Sequence, residues 1–349
     1  MIWLTWRQLR GSAAMIAALL VVLAAILALT GPNLASDYSA GIAGCVQDDT
    51  CGRFYNRFFQ TYELPFIAVS LIVLLLPALV GLFWGAPLIT RELETGTHLL
   101  VWNQSVTRGR WLLVKLGLTG LVAMAAAGLC GLAVTWWSDP LDKSAPGGLA
   151  LMAPLVFGAR GIAPMGYAAF AFVLGVTVGL MVRRTLPAMA LTLAVFVAIQ
   201  IAMPLLVRPH LMTPVTSRFE LSEVNVDQFG ISRDEGGTVR IMLDSAVPGH
   251  AGAWVMSSDL VDSSGRMVTT GEGGAAVPVS TTSGPCSPTG AQGMDLCSAE
   301  INRLGYRQQA TFQPLERFWP FQWIETAIYA VLTLGLTWFC FWWIRRRLS

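Results

Sequence analysis

At 349 residues, the chain has room for one large domain or two ordinary ones. Hydrophobic residues make up 54% of it and charged residues only 13%, about half the share usual in a soluble domain. A net charge of +2 supplies no basic field for nucleic acid, so a soluble enzyme and a nucleic-acid binder are both excluded.

The charges are also clustered. Stretches free of Asp, Glu, Lys and Arg cover 11–36, 64–90, 116–138, 161–182, 185–207 and 326–344. A helix needs about 20 residues to cross the hydrocarbon core. The expected fold is an all-α polytopic membrane protein with six transmembrane helices and a small β-containing external domain between helices five and six.

In chain order, residues 1–10 hold Trp3, Trp6, Arg7 and Arg10, a pattern suited to an interfacial helix before the first span. The apolar core Ala13–Leu29 is longer than a signal h-region, and no clean A-x-A site follows it, so the first span is read as retained. Residues 32–63 read as an external loop whose aromatic piece Phe54–Tyr62 rests on the outer interface. The second span carries Pro77 and Pro87, each a point for a kink. The third, about Trp111 to Trp137, is rich in Gly and Ala and suits close packing. The segment 144–163 is too broken by Pro and Gly to span, and reads as a re-entrant or external interfacial element with Arg160 near its end. Spans four and five are joined by Arg183 and Arg184 alone, a tight hairpin. Residues 208–318 turn polar, with strand patterns at Thr238–Leu243 and Ala253–Met256 and a long loop expected over 271–295. The last span, about Pro320 to Ile344, ends in Arg345, Arg346 and Arg347.

Loops sort by charge. The set containing both termini, the 90–115 segment and the Arg183–Arg184 turn holds eleven cations against two acids, Glu92 and Glu94, whereas the other set holds twelve cations and nineteen acids. Positive-inside bias therefore places both termini in the cytoplasm and 208–318 outside a plasma membrane. Four of the six cysteines then fall as two local pairs on the oxidising side, and Cys45–Cys51 and Cys286–Cys297 are the expected disulfides, with free thiols or cross-pairing as the alternative. No metal site is expected, because His98, His210 and His250 are not spaced with these cysteines as ligand sets.

No phosphate-binding glycine loop precedes Lys115 or Lys143, so the chain is expected to bind no nucleotide and to hold no cofactor or catalytic residue of its own. Within the spans only Glu325 stands as an ionisable group, either an interfacial acid or a substrate or gating contact. The most informative stretch is Thr90–Trp102, charged first and then apolar and interrupted at Gly96, which suits docking in a partner's groove as well as covering lipid headgroups.

The run Arg91-Glu92-Leu93-Glu94-Thr95-Gly96-Thr97, continuing through Ser105-Val106-Thr107-Arg108 to Lys115, resembles the coupling region of ABC-2 type transporter permeases. The layout is similar to that of the G-type ABC exporters, and Arg317–Glu325 looks like the last span of actinobacterial ABC-2 permeases. The resemblance implies an exporter of hydrophobic or amphipathic cargo driven by two copies of a separate ATPase subunit, which would carry ATP and Mg. A second permease chain, identical or not, would complete the path, between spans two and five of each half. It also implies that Arg91, Glu92, Glu94, Gly96, Thr97, Leu99, Trp102 and Arg108 are coupling contacts, and that Pro77, Pro87, Pro187 and Pro204 are flexure points beside Glu325. The runner-up reading is a membrane sensor or scaffold whose external domain binds a ligand.

Overall fold

The structure, a computed structural model, describes residues 2–44, 48–96, 107–145, 149–231, 238–250, 252–268, 270–271, 274–280, 284–286 and 294–347. Among the described residues, six helical stretches are long and apolar enough to cross a membrane: Ala17–Ala43, Arg57–Glu94, Arg108–Asp142, Ala163–Val182, Thr185–His210 and Leu315–Arg346. The chain is a multi-pass membrane protein, and its small antiparallel sheets lie between the fifth and sixth spans.

Helix α1 (Ile2–Ala43) is continuous, so the 1–10 segment runs on into the first span without a break. Helix α2 (Asp48–Val80) begins well before the apolar stretch. Most of the expected 32–63 loop is therefore helical. The aromatic run that sequence placed on the membrane surface instead joins α1 to α2. Tyr38 meets Phe58 at 5.5 Å between ring centroids, Phe58 meets Tyr62 at 5.3 Å, and Tyr62 Oη donates to Asp37 at 2.6 Å. Each such ring pair is worth about 0.5–1.5 kcal/mol beyond burial, enough to extend the two helices together.

The second span continues through a π-helical turn, Gly81–Gly85, into α3 (Ala86–Glu94). There the Ala86 N–H reaches back to Gly81 O, five residues away. Pro87 follows directly, and its missing N–H and its ring make the α-helical register hard to keep at this point. A second π-turn, Met203–Val207, contains Pro204 and interrupts the fifth span. Sequence expected kinks at Pro77 and Pro87 and a flexure point at Pro204; one wide turn directly precedes Pro87 and the other contains Pro204, whereas Pro77 stays within α2.

Helix α4 (Arg108–Asp142) forms the third span, and the short helix α5 (Pro154–Phe157) lies inside the broken 144–163 segment. Helix α6 (Ala163–Val182) is the fourth span and the centre of the bundle, with almost every side chain from Ala163 to Leu180 buried. Its neighbours approach closely because glycines line the contact. A Cβ built on Gly175 would lie 2.5 Å from Gly81 O, and one on Gly81 would lie 2.7 Å from Ala171 O. The fifth span is α7 (Thr185–Ala202), the π-turn and α8 (Arg208–Leu211). Arg183 closes the hairpin before α7 with a left-handed φ of 58°, a conformation costly for a side chain with a Cβ.

Among the described residues, the segment between spans five and six holds seven strands in two antiparallel sheets, ordered β1-β7-β4 and β2-β3-β6-β5. Strand β3 (Thr238–Leu243) matches the expected run, and β4 (Trp254–Val261) extends the other. The remaining strands are β1 (Val215–Phe219), β2 (Val226–Ile231), β5 (Thr270–Gly271), β6 (Gly274–Ser280) and β7 (Arg307–Gln313). The expected loop over 271–295 is corrected here. Strand β6 buries Ala275 and Val277 and exposes Ala276 and Pro278, an alternation disguised by small residues and proline, and α9 (Met294–Arg303) follows. Cys286 and Cys297 form a disulfide, with Cys297 in the domain core. Cys45 and the side chain of Cys51 lie outside the described residues. The domain is seated on the bundle by Met152 N–H to Gly252 O at 3.3 Å, and Gln313 and Arg317 close its neck by donating to Met212 O and Thr213 O. Helix α10 (Phe318–Arg347) is the sixth span.

Candidate functional site

Among the described residues, three places in the bundle gather polar groups that a lipid-facing helix would not carry. The first is the corner where α3 ends, at the bundle end opposite the sheets. Amphipathic spacing turns Thr90 and Glu92 inward while Arg91 and Glu94 face out. Glu92 forms a buried ion pair with Lys115 of α4, the two side chains being 9% and 5% exposed. Lys115 Nζ also donates to Leu88 O at 3.4 Å and lies 4.8 Å from the Trp111 ring centroid.

Glu94 reaches the other way. Its Oε1 accepts from the Thr185 N–H and its Oε2 from the Thr185 hydroxyl, both at 2.7 Å. Thr185 opens α7, so the carboxylate satisfies a donor left over at a helix N-terminus and sits at the positive end of its dipole. Thr90 Oγ1 lies 2.9 Å from Thr185 Oγ1 and closes the same junction. Gly96, with φ of 70°, ends the helix in a conformation that suits glycine. Thr107 caps α4 by accepting from Arg110 N–H at 3.4 Å, and Arg108 opens that helix, half-buried. Of the eight residues expected at this corner, Arg91, Glu92, Glu94 and Gly96 lie in and just after α3, and Arg108 opens α4. Thr97, Leu99 and Trp102 lie outside the described residues.

The second place is a cleft of about 390 Å³ between the second and fifth spans. Leu74 and Ala78 of α2, Phe196 and Ile201 of α7 and Leu155 of α5 make its walls apolar. At its end toward the sheets sit Arg208, Glu325 and Tyr167. Arg208 grips Glu325 with two hydrogen bonds, Nε to Oε2 at 2.9 Å and Nη2 to Oε1 at 3.1 Å, and Tyr167 Oη donates to the same Oε1. Arg208 is 2% exposed and Glu325 fully buried, and the guanidinium lies 4.2 Å from the Phe157 ring centroid. Arg208 Nη1 has no hydrogen-bond partner among the described residues.

Glu325 is therefore one half of a bidentate buried pair. Pro77 is buried beside Ala78, next to the cleft wall. Pro187 stands in the first turn of α7, where a missing N–H removes no hydrogen bond, so it starts that helix without bending it.

A third buried pair anchors the broken segment. Arg160 is fully buried, 3.8 Å from Asp142 and 3.4 Å from Ser70 Oγ. Gln322 of α10 accepts from the Ile162 and Ala163 N–H groups at 3.1 and 2.8 Å and donates to Phe157 O, while Thr135 accepts from Gly161 N–H. The non-helical backbone of this segment is satisfied by protein side chains. Sequence reading missed Arg208, Lys115 and Arg160 as partners and Gln322 as a cap. The available signal was that Arg208 and Glu325 directly border the charge-free runs 185–207 and 326–344.

A family model described as ABC-2 membrane transporter related matches residues 17–208, more than half of the chain. No curated protein and no solved structure matches it.

Proposed function

From the premise that the chain belongs to the ABC-2 membrane transporter related family, we propose that it is the permease subunit of an ABC exporter. A separate ATPase subunit, in two copies, would supply the energy, and a second permease chain would complete the path. Both termini and the Glu92–Glu94 corner face the cytoplasm of the plasma membrane, and the sheets face outward. The cargo is hydrophobic or amphipathic, in keeping with the cleft's apolar walls.

The observation that carries the reading is the wiring of the corner. The segment following the second span is tied by Glu92 to the third span and by Glu94 to the first residue of the fifth. Spans two and five are also the walls of the cleft. A partner that pushes on residues 95–108 therefore moves both walls through contacts already made. Glu92 cannot meet a partner without leaving Lys115, so it acts here as a transmission contact. Docking falls to exposed Arg91, to the turn at Gly96 and to the sequence that follows, including Thr97, Leu99 and Trp102. The π-turns at Gly81–Gly85 and Met203–Val207 lie in these same two spans, and they give each wall a wide turn that can change register.

The test is purification of the tagged chain from native membranes in mild detergent, followed by a nucleotide hydrolysis assay. The reading requires a co-purifying ATPase with vanadate-sensitive turnover, lost when Arg91 and Leu99 are replaced together while the chain still inserts. A chain that purifies alone and hydrolyses nothing refutes it.

A further inference from the structure

We propose that the cleft between spans two and five selects an uncharged lipophilic molecule bearing a carbonyl-type acceptor, such as an ester, amide or ketone, and that Arg208 Nη1 is the donor that reads it. The inference deepens the transport reading and rests on it for calling the occupant cargo.

Charge and hydrogen-bond accounting at the polar end give the chemistry. Each oxygen of the Glu325 carboxylate already has a donor: Oε2 accepts from Arg208 Nε, and Oε1 accepts from Arg208 Nη2 and Tyr167 Oη. A cation entering the cleft would find no carboxylate oxygen in want of a donor. The guanidinium and the carboxylate cancel, so an anion would meet a neutral pair with a negative group close behind the positive one. What remains unmet is a donor. Arg208 Nη1 is buried and unpartnered among the described residues, in a side chain that lines the cleft. A buried donor without an acceptor is costly, and a polar group brought by a ligand removes that cost. Gln200 reinforces the polarity. Its Oε1 is taken by Tyr329 Oη at 2.6 Å, which leaves its amide NH₂ as a second donor on the same cleft. The rest of the lining is aliphatic and aromatic, so the occupant is apolar apart from one acceptor-bearing end. An ester-linked bilayer lipid and a freely entering molecule share this chemistry.

The test uses the full chain in nanodiscs of a diether phosphatidylcholine, which has no ester carbonyl. Four photoreactive probes share one alkyl chain and end in a methyl ester, a plain hydrocarbon, a quaternary ammonium or a sulfate. Labelling is read by mass spectrometry on the α7 wall, Val197–Leu205. The expected result is about tenfold more labelling by the ester than by the hydrocarbon, with both charged probes at or below the hydrocarbon. Combining Arg208→Met with Glu325→Gln, which keeps an acceptor for Tyr167, removes the charged donor and should cut the ester's excess over the hydrocarbon, with the uncharged amides of Gln200 and of the new glutamine as the weaker donors that remain. Equal labelling by ester and hydrocarbon, preference for a charged probe, or undiminished ester labelling in the double variant would overturn the proposal. The ranking of the four probes on the native chain decides even if the variant does not fold. Repeating the experiment in diester nanodiscs identifies the source, because bilayer lipid competes away the ester probe and a freely entering cargo site does not yield. Labelling needs no ATPase, so failure of the transport reading and failure of this one are separable.

Discussion

Lys115→Met tests the wiring of the corner most directly. Glu92 and Lys115 are 9% and 5% exposed, and the Leu88 carbonyl and the Trp111 ring lie beside the Lys115 ammonium. Removing Lys115 takes from the buried Glu92 carboxylate the cation it pairs with and costs about 3–5 kcal/mol, roughly two to nearly four orders of magnitude in the folded ratio. Replacing both, as in Lys115→Met with Glu92→Leu, removes the stranded charge and should return most of that loss. The assay is the thermal midpoint of detergent-solubilised protein, followed by fluorescence-detected size exclusion, across the full double-mutant cycle. A single variant within about 1 kcal/mol of the parent, or a double variant as damaged as the single, would refute the assignment of a structural pair. The double variant also separates stability from transmission. It should insert and regain most of its midpoint, keep the proposed ATPase partner bound, and lose cargo-stimulated turnover, because the tie from α3 to α4 is gone.

Gly175→Val should lower the midpoint sharply by forcing α6 away from the Gly81–Gly85 turn, whereas Gly117→Ala and Gly335→Ala, where nothing lies within 4 Å of a built Cβ, should be neutral or slightly stabilising. Reducing Cys286–Cys297, which closes a loop with a sequence separation of 11, should destabilise the sheets by about 3 kcal/mol, and limited proteolysis with and without reductant should show faster cutting there than in the spans. The carboxyl of Asp262 accepts from Ser264 Oγ and from the Ser264 and Arg266 N–H groups, which hold its pKa down to about 2. Because the folded value is depressed, this turn contributes stability above the unfolded value of about 3.9 and loses it as pH falls toward 2. A carboxyl-carbon NMR titration should find a midpoint near 2, rising toward the unfolded value in Ser264→Ala; a midpoint near 4 in the parent would show that the turn is not formed in solution.

Much of this architecture was legible from where charge is missing. Charge-free runs mark helices in lipid because an unpaired charge there is expensive, and all six spans were found that way. The same method hid the site. A run ends where a charge begins, so Arg208, Glu325 and Lys115 served as borders, and borders are read as facing water. Only packing shows that Arg208 and Glu325, 117 residues apart, lie inside and face each other. The corner was legible in composition but not in direction, since one helical turn decides that Glu92 points to Lys115 and Glu94 to Thr185. Strand β6 was missed because Ala, Gly and Pro carry little strand signal, and the helical extensions at 32–63 because the aromatic run fits a membrane surface as well as a helix pair.

The cap at Ile162 and Ala163 also imposes an order on biosynthesis. Its acceptor, Gln322, comes 160 residues after Ile162 and so leaves the ribosome long after the fourth span has been made. Until then the Ile162 and Ala163 amides lack the acceptor that the sixth span brings them in the finished protein. Completion of the polypeptide is thereby checked at the heart of the bundle. Chains truncated before residue 318 should be cleared by membrane proteases faster than full-length Gln322→Glu, which retains an acceptor, and pulse-chase decay of the two would measure it.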